Sequence, residues 1–239
     1  MKLDVIVTPA ETTPAALSGR TVVVLDVLRA TTSIVQALSA GARSVFPVSS
    51  IEEALRLANT FGRDEVLLAG ERRCLPIEGF DFGNSPGDFT PERVGGKTLI
   101  MTTTNGTAAM AQTQSAARVF VGSLLNRAAV VAELVRLNAE PVFLCSGREK
   151  YFALEDAAVA GNFAAQLMAA QPGEWTLNDG AHAALTLSKE FGIGIPLFEM
   201  SAGGRSIVEA GLDQDLAFCA QVDVHDFVPV FQERSITLL

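Results

Sequence analysis

Val22-Val23-Val24-Leu25 follows Thr21 as an unbroken apolar run with no polar residue alternating through it. A strand of that make-up has no face to offer water, so it belongs inside a sheet covered on both sides. Residues 31–40 then read as a helix and 42–48 as the next strand. Further strand-like runs stand at 65–69, 97–101, 118–121 and Pro141–Cys145, and residues 126–138 carry a helical apolar stripe. Ser50-Ile51-Glu52-Glu53 reads as a capping box at the head of another helix. The alternation specifies an α/β chain: a mostly parallel or mixed sheet with helices on both faces, in three layers. From residue 154 to about 222 the pattern turns mainly helical, and residues 228–231 and 235–239 look like closing strands, with Pro229 favouring a sheet edge.

The 239 residues fit one domain over 1–239, either undivided or as two closely packed halves, about 1–150 and 151–239. A net charge of −9 argues against nucleic acid, whose phosphates call for surplus lysine and arginine. No run is long and apolar enough for a membrane span, and Met1–Val7 reads as a first strand rather than a signal peptide. Three cysteines, Cys74, Cys145 and Cys219, cannot all pair and lack metal-ligand spacing, so reduced thiols and a cytoplasmic location are expected.

Several strands end in small polar residues that open onto a helix or turn. After 97–101 come Thr102-Thr103-Thr104-Asn105-Gly106-Thr107, hydroxyls, an amide and a glycine at a helix start, which is how α/β proteins hold anions. After the valine run come Asp26-Val27-Leu28-Arg29-Ala30-Thr31-Thr32, a carboxylate, an arginine suited to bidentate oxyanion binding, and two hydroxyls. Gly122-Ser123 and Ser146-Gly147-Arg148 repeat the pattern, with Ser123 equally readable as a cap. The stretch from Gly70 to Gly96 is long for a structureless connection, so a binding role is expected there. It holds Glu71, Arg72, Arg73 and Asp81. Strand-end carboxylates completed by water and substrate phosphate are what Mg²⁺ prefers. Glu155 and Asp156 open a helix, where the dipole favours acids without any function, and this account fits Glu155 better than Asp156. An aspartyl nucleophile of the haloacid-dehalogenase type needs a second Asp where Leu28 stands, so Asp26 reads first as metal ligand or general base.

Taken in order, Asp26-Val27-Leu28-Arg29-Ala30-Thr31-Thr32, Gly70-Glu71-Arg72, Gly79-Phe80-Asp81-Phe82-Gly83-Asn84-Ser85-Pro86, Thr102–Thr107, Gly122-Ser123, Ser146-Gly147-Arg148, Leu154-Glu155-Asp156 and Gly204-Arg205 resemble the 2-phosphosulfolactate phosphatase (ComB) family over nearly the whole chain. One departure is Arg73-Cys74-Leu75-Pro76, where a glycine is expected soon after the Glu-Arg pair. The resemblance implies a Mg²⁺-dependent phosphatase that hydrolyses (2R)-O-phospho-3-sulfolactate, a step of coenzyme M synthesis in methanogens. Asp26, Glu71, Asp81 and Asp156 are then expected to include the metal ligands. Asp26 and Arg29 would be catalytic, and Thr31, Arg72, Thr103, Thr104, Asn105, Gly106, Ser123 and Arg148 would bind the substrate and its phosphate. The partner is a small anionic phosphomonoester, and a homodimer is a plausible assembly. The competing readings are a non-catalytic domain binding a phosphorylated or sulfonated metabolite, and a phosphomonoesterase with another small anionic substrate. Clustered acids favour catalysis, because a pure anion binder gains nothing from carboxylates beside its ligand.

Overall fold

The computed structural model describes residues 1–62 and 65–239. The elements run β1 (Lys2–Ile6), β2 (Thr21–Leu25), α1 (Ala30–Ser39), β3 (Ser44–Pro47), α2 (Ile51–Ala58), β4 (Val66–Arg72), β5 (Leu75–Pro76), α3 (Pro91–Val94), β6 (Thr98–Thr102), α4 (Gly106–Ala111), β7 (Arg118–Gly122), α5 (Arg127–Arg136) and β8 (Pro141–Cys145). The remainder is α6 (Leu154–Ala170), β9 (Thr176–Leu177), α7 (Asp179–Phe191), α8 (Ile195–Met200), α9 (Ala202–Glu209), α10 (Gln214–Cys219), β10 (Pro229–Gln232) and β11 (Ser235–Leu238). Every strand lies in one sheet, in the order β5-β4-β6-β3-β11-β10-β7-β2-β8-β1-β9. The chain is thus α/β with a mixed sheet, and strands from both ends of the sequence share it.

The valine run explains why the sheet must be covered twice. β2 pairs in parallel with β7 on one side and β8 on the other, so its backbone is fully used. Val23 and Leu25 pack into a core with α5, α6 and α7, while Val22 and Val24 join a second core with α1 and α4 on the opposite face. Alternate residues of one uniform strand thereby fill two separate interiors, as the period of two requires.

Two parallel blocks make up most of the sheet: β4, β6 and β3, then β7, β2, β8, β1 and β9. The β10–β11 hairpin joins them, through Ile236 opposite Val45 and Val230 opposite Phe120. Pro229 therefore does not mark an edge as its sequence suggested. A proline is tolerated inside this sheet because it begins its strand, and the contact with β7 is confined to the next residue, Val230. The stretch after residue 70, long for a structureless connection, begins with regular structure. β4 runs on to Arg72, and β5 folds back on it through a two-residue turn with Arg73 and Cys74 both at positive φ. That turn is the place where a glycine was expected, and the chain adopts a glycine-like conformation there without one. At α2 the Ser50 hydroxyl caps the Glu53 N–H as expected, but the Glu53 carboxylate accepts from Ser49 rather than closing the box on Ser50.

α6 and α7 pack so closely that a Cβ placed on Gly161 would sit 1.9 Å from the Ala184 carbonyl oxygen. Gly161→Ala therefore forces the two helices apart, and chemical denaturation should show a loss of roughly 2 kcal/mol or more, with the slope of the transition unchanged.

Candidate active site

A cleft partly open to solvent lies where the chain leaves β2, β4, β6 and β8. Leaving β2, the Asp26 carbonyl accepts the Thr31 hydroxyl at 2.9 Å and the Asp26 N–H donates back to the same oxygen at 3.1 Å. This ties the turn to the head of α1 and leaves the carboxylate facing the cleft, with its Oδ1 accepting from the Ala30 N–H at 3.3 Å. Gly106, at the head of α4, faces the same carboxylate. A Cβ there would stand 2.8 Å from Asp26 Oδ2 and 2.7 Å from the Ala30 methyl, so only glycine lets the two helix heads meet.

Asp156, in the first turn of α6, is buried beside Asp26. Its Oδ1 accepts from the Val27 N–H at 2.9 Å, and its Oδ2 from the Ser146 hydroxyl at 3.0 Å and the Gly147 N–H at 3.2 Å. Burial pushes the Asp26 carboxyl up to about 6, eased by hydrogen bonds from Ser146 and Ala30 and aggravated by the charges of Glu71 and Glu155. Asp156 is raised well above the usual carboxylate range, first by burial and then by Asp26. Glu155 is raised as well, again chiefly by burial, and its Oε2 is buried without a hydrogen-bond partner.

Glu71 is fully engaged. Its Oε1 accepts from the Thr104 N–H and hydroxyl at 2.8 and 2.9 Å, and its Oε2 from the Cys74 N–H at 2.9 Å. It therefore fastens the β4–β5 turn to the turn after β6. Arg29 is equally occupied: only 3% exposed, it donates to Asp215 Oδ2 at 2.6 Å, Ser85 Oγ at 3.2 Å and the Cys74 carbonyl at 3.0 Å. The pairing of Asp215 with Arg29 crosses 186 positions of chain, a separation that carries no local signal in the sequence.

Asp26, Arg29, Glu71, Thr103, Thr104, Asn105, Arg148 and Asp156 all border the cleft, and Gly106 supports it from behind. The remaining expected site residues lie elsewhere. Thr31 is wholly buried and spent on Asp26. Arg72 is held by the Glu71 carbonyl and by Thr102, and it is Arg73 that borders the cleft. Ser123 is buried against Asn126, the capping role that was its alternative reading. Asp81 is exposed and accepts from the Leu68 N–H at 2.8 Å, holding its own loop. Glu155 belongs to the cleft although its place at a helix start suggested nothing beyond the dipole. Among the described residues no three Asp, Glu, His or Cys side chains gather closely enough to hold a metal ion by themselves. No helix among them is long and apolar enough to cross a membrane.

A cleft of buried carboxylates facing arginines and polar turns is the equipment of an enzyme acting on phosphate esters, where charge must be both neutralised and positioned. The comparisons agree. The family model described as 2-phosphosulpholactate phosphatase matches residues 6–234. A relative named "Probable 2-phosphosulfolactate phosphatase" from Symbiobacterium thermophilum is 41% identical over 224 residues, covering 93% of this chain and 96% of its own. One of the same name from Caldanaerobacter subterraneus is 41% identical over 216 residues (89% and 88%), and one from Clostridium beijerinckii 34% over 238 (99% of each). The chain belongs to the 2-phosphosulfolactate phosphatase family and is a phosphoric monoester hydrolase.

Two measurements follow from the geometry. Asp215→Ala strands a buried guanidinium, so denaturant melts should show a loss of about 3–5 kcal/mol, much of it recovered by the double change Arg29→Met with Asp215→Leu. The second concerns pH. A carboxyl whose pKa rises from 3.8 to about 6 on folding favours the folded state fully below its unfolded pKa. That advantage is lost as pH climbs through about 6. With chelator present, Asp26→Asn should flatten the fall in stability between about pH 4 and pH 7 and gain roughly 1–3 kcal/mol at the upper end.

Proposed function

We propose that this chain is a Mg²⁺-dependent phosphatase that hydrolyses (2R)-O-phospho-3-sulfolactate to (2R)-3-sulfolactate and phosphate in the cytoplasm. The observation that carries the metal is the concentration of buried acid in the cleft: Asp26, Asp156 and Glu155 are all pushed toward the protonated state, and one Glu155 oxygen has no partner. Buried carboxylates in excess of nearby positive charge ask for a cation. Their hard oxygen donors suit Mg²⁺, which needs only one or two carboxylates when water and substrate phosphate complete its shell. Asp26 and Asp156 would hold it. The substrate is the one named for the relatives.

When bound, the ion supplies charge neutralisation on the transferring phosphoryl oxygens. The protein's own groups do the rest. Arg148 and Arg73 bring guanidinium groups to the cleft for the ester's oxygens, and Asn105 adds its amide. The Asn105 side-chain oxygen is committed to the Glu149 N–H at 2.9 Å, which orients the amide nitrogen. Asp26 presents its carboxylate to the same space, in place to take the proton of an attacking water. Arg29 and Glu71 hold the turns that carry these groups, Arg29 through Ser85, Cys74 and Asp215 and Glu71 through Thr104 and Cys74.

Phosphate release is the direct test. Wild-type chain should turn over 2-phosphosulfolactate with Mg²⁺ and stop with chelator, while Asp26→Asn should lose roughly 10³-fold or more in kcat with its fold intact by circular dichroism. Binding of phosphosulfolactate without any metal-dependent turnover would point instead to a non-catalytic binder of such metabolites.

A further inference from the structure

A second hollow opens beside the catalytic cleft and shares Arg148, Glu155 and Gly203 with it. Its own walls add Phe152, Met200 and Arg205. Two guanidinium groups therefore flank a space adjoining the reaction centre, on a chain whose net charge is −9. Each is steered by one backbone carbonyl: Arg148 Nη1 donates to the Ala202 carbonyl, and Arg205 Nη1 to the Met200 carbonyl. Neither arginine makes an ion pair among the described residues, so their remaining N–H groups can serve a ligand. Glu155 stands at the junction, where both guanidinium groups offset its charge. Phe152 and Met200, both about half exposed, give the hollow an apolar floor suited to a short carbon chain.

We propose that this side hollow is the specificity subsite, in which Arg205 and Arg148 grip the distal anionic group of the phosphomonoester while its phosphate sits in the cleft. The inference rests on the phosphatase reading above. Arg148 borders both spaces and can serve either group, whereas Arg205 borders only the side hollow and is the clean probe. The subsite selects esters that carry a carboxylate or sulfonate a few bonds from phosphorus, since a neutral or bulky aromatic alcohol leaves both guanidinium groups without a partner.

The test is steady-state kinetics of wild type, Arg205→Ala and Arg205→Lys on 2-phosphosulfolactate, 2-phospholactate and phenyl phosphate. In wild type, kcat/KM should favour the two esters with a second anion over phenyl phosphate. Arg205→Ala should cut that preference roughly 10- to 100-fold, mainly through KM, and Arg205→Lys should restore part of it. An equal effect of Arg205→Ala on all three esters, or none, overturns the subsite. So does a wild type that shows no preference. The substrate reading fails separately: no turnover of 2-phosphosulfolactate beside Arg205-dependent turnover of 2-phospholactate sinks the named substrate and leaves the subsite standing.

Discussion

The buried pair between Arg29 and Asp215 is the constraint around which the catalytic face is assembled. Their contact, at 2.6 Å with both side chains almost wholly out of water, joins the exit of β2 to α10. The same guanidinium reaches Ser85 and the Cys74 carbonyl, so one residue ties four distant parts of the chain. Desolvating two charges costs more than a surface pair returns, and such a pair persists only when its hydrogen bonds are nearly all met. Here they are met, and the reward is position. The turns that carry Asp26, Cys74 and the 83–86 segment are held in register by a group that does not itself need to touch substrate.

A second tension lies in the acids. Asp26, Asp156 and Glu155 share a small buried region, and each resists ionisation chiefly because of burial; the charge of Glu155 adds to the cost at Asp26 and Asp156, and that of Asp26 adds to it at Asp156. Hydrogen bonds from Val27, Ser146 and Gly147 offset only part of that cost. A fold keeps such an arrangement when something else repays it, and the proposed cation with phosphate beside it would do so. Glu71 lies on the rim of the same cluster, but its two oxygens are consumed by Thr104 and Cys74.

The layering was legible because it depends on short-range pattern. Val22 to Leu25 could only be a strand covered on both faces, and alternate residues do enter the two cores. The strand exits at Asp26, at Thr102–Thr107 and at Ser146-Gly147-Arg148 were legible for the same reason, since a polar break after a buried strand marks the sheet's working end. Pro229 misled because an edge is only one of the places where a missing N–H costs nothing; the start of a strand is another. Ser123, Arg72 and Asp81 carry the right chemistry but spend it locally, on Asn126, Thr102 and Leu68.

By itself the sequence determined the α/β layering, the working end of the sheet and the stock of acids, arginines and small polar turns placed there. Each of these follows from residues within a few positions of one another, where backbone geometry dictates which side chains share a face. Only the tertiary structure decided which of those groups remain free to act. Arg29 is taken by Asp215, Glu71 by Thr104 and Cys74, and Glu155 is left with an unpartnered oxygen, because hydrogen-bond partners are allotted by proximity in space between segments as far as 186 residues apart.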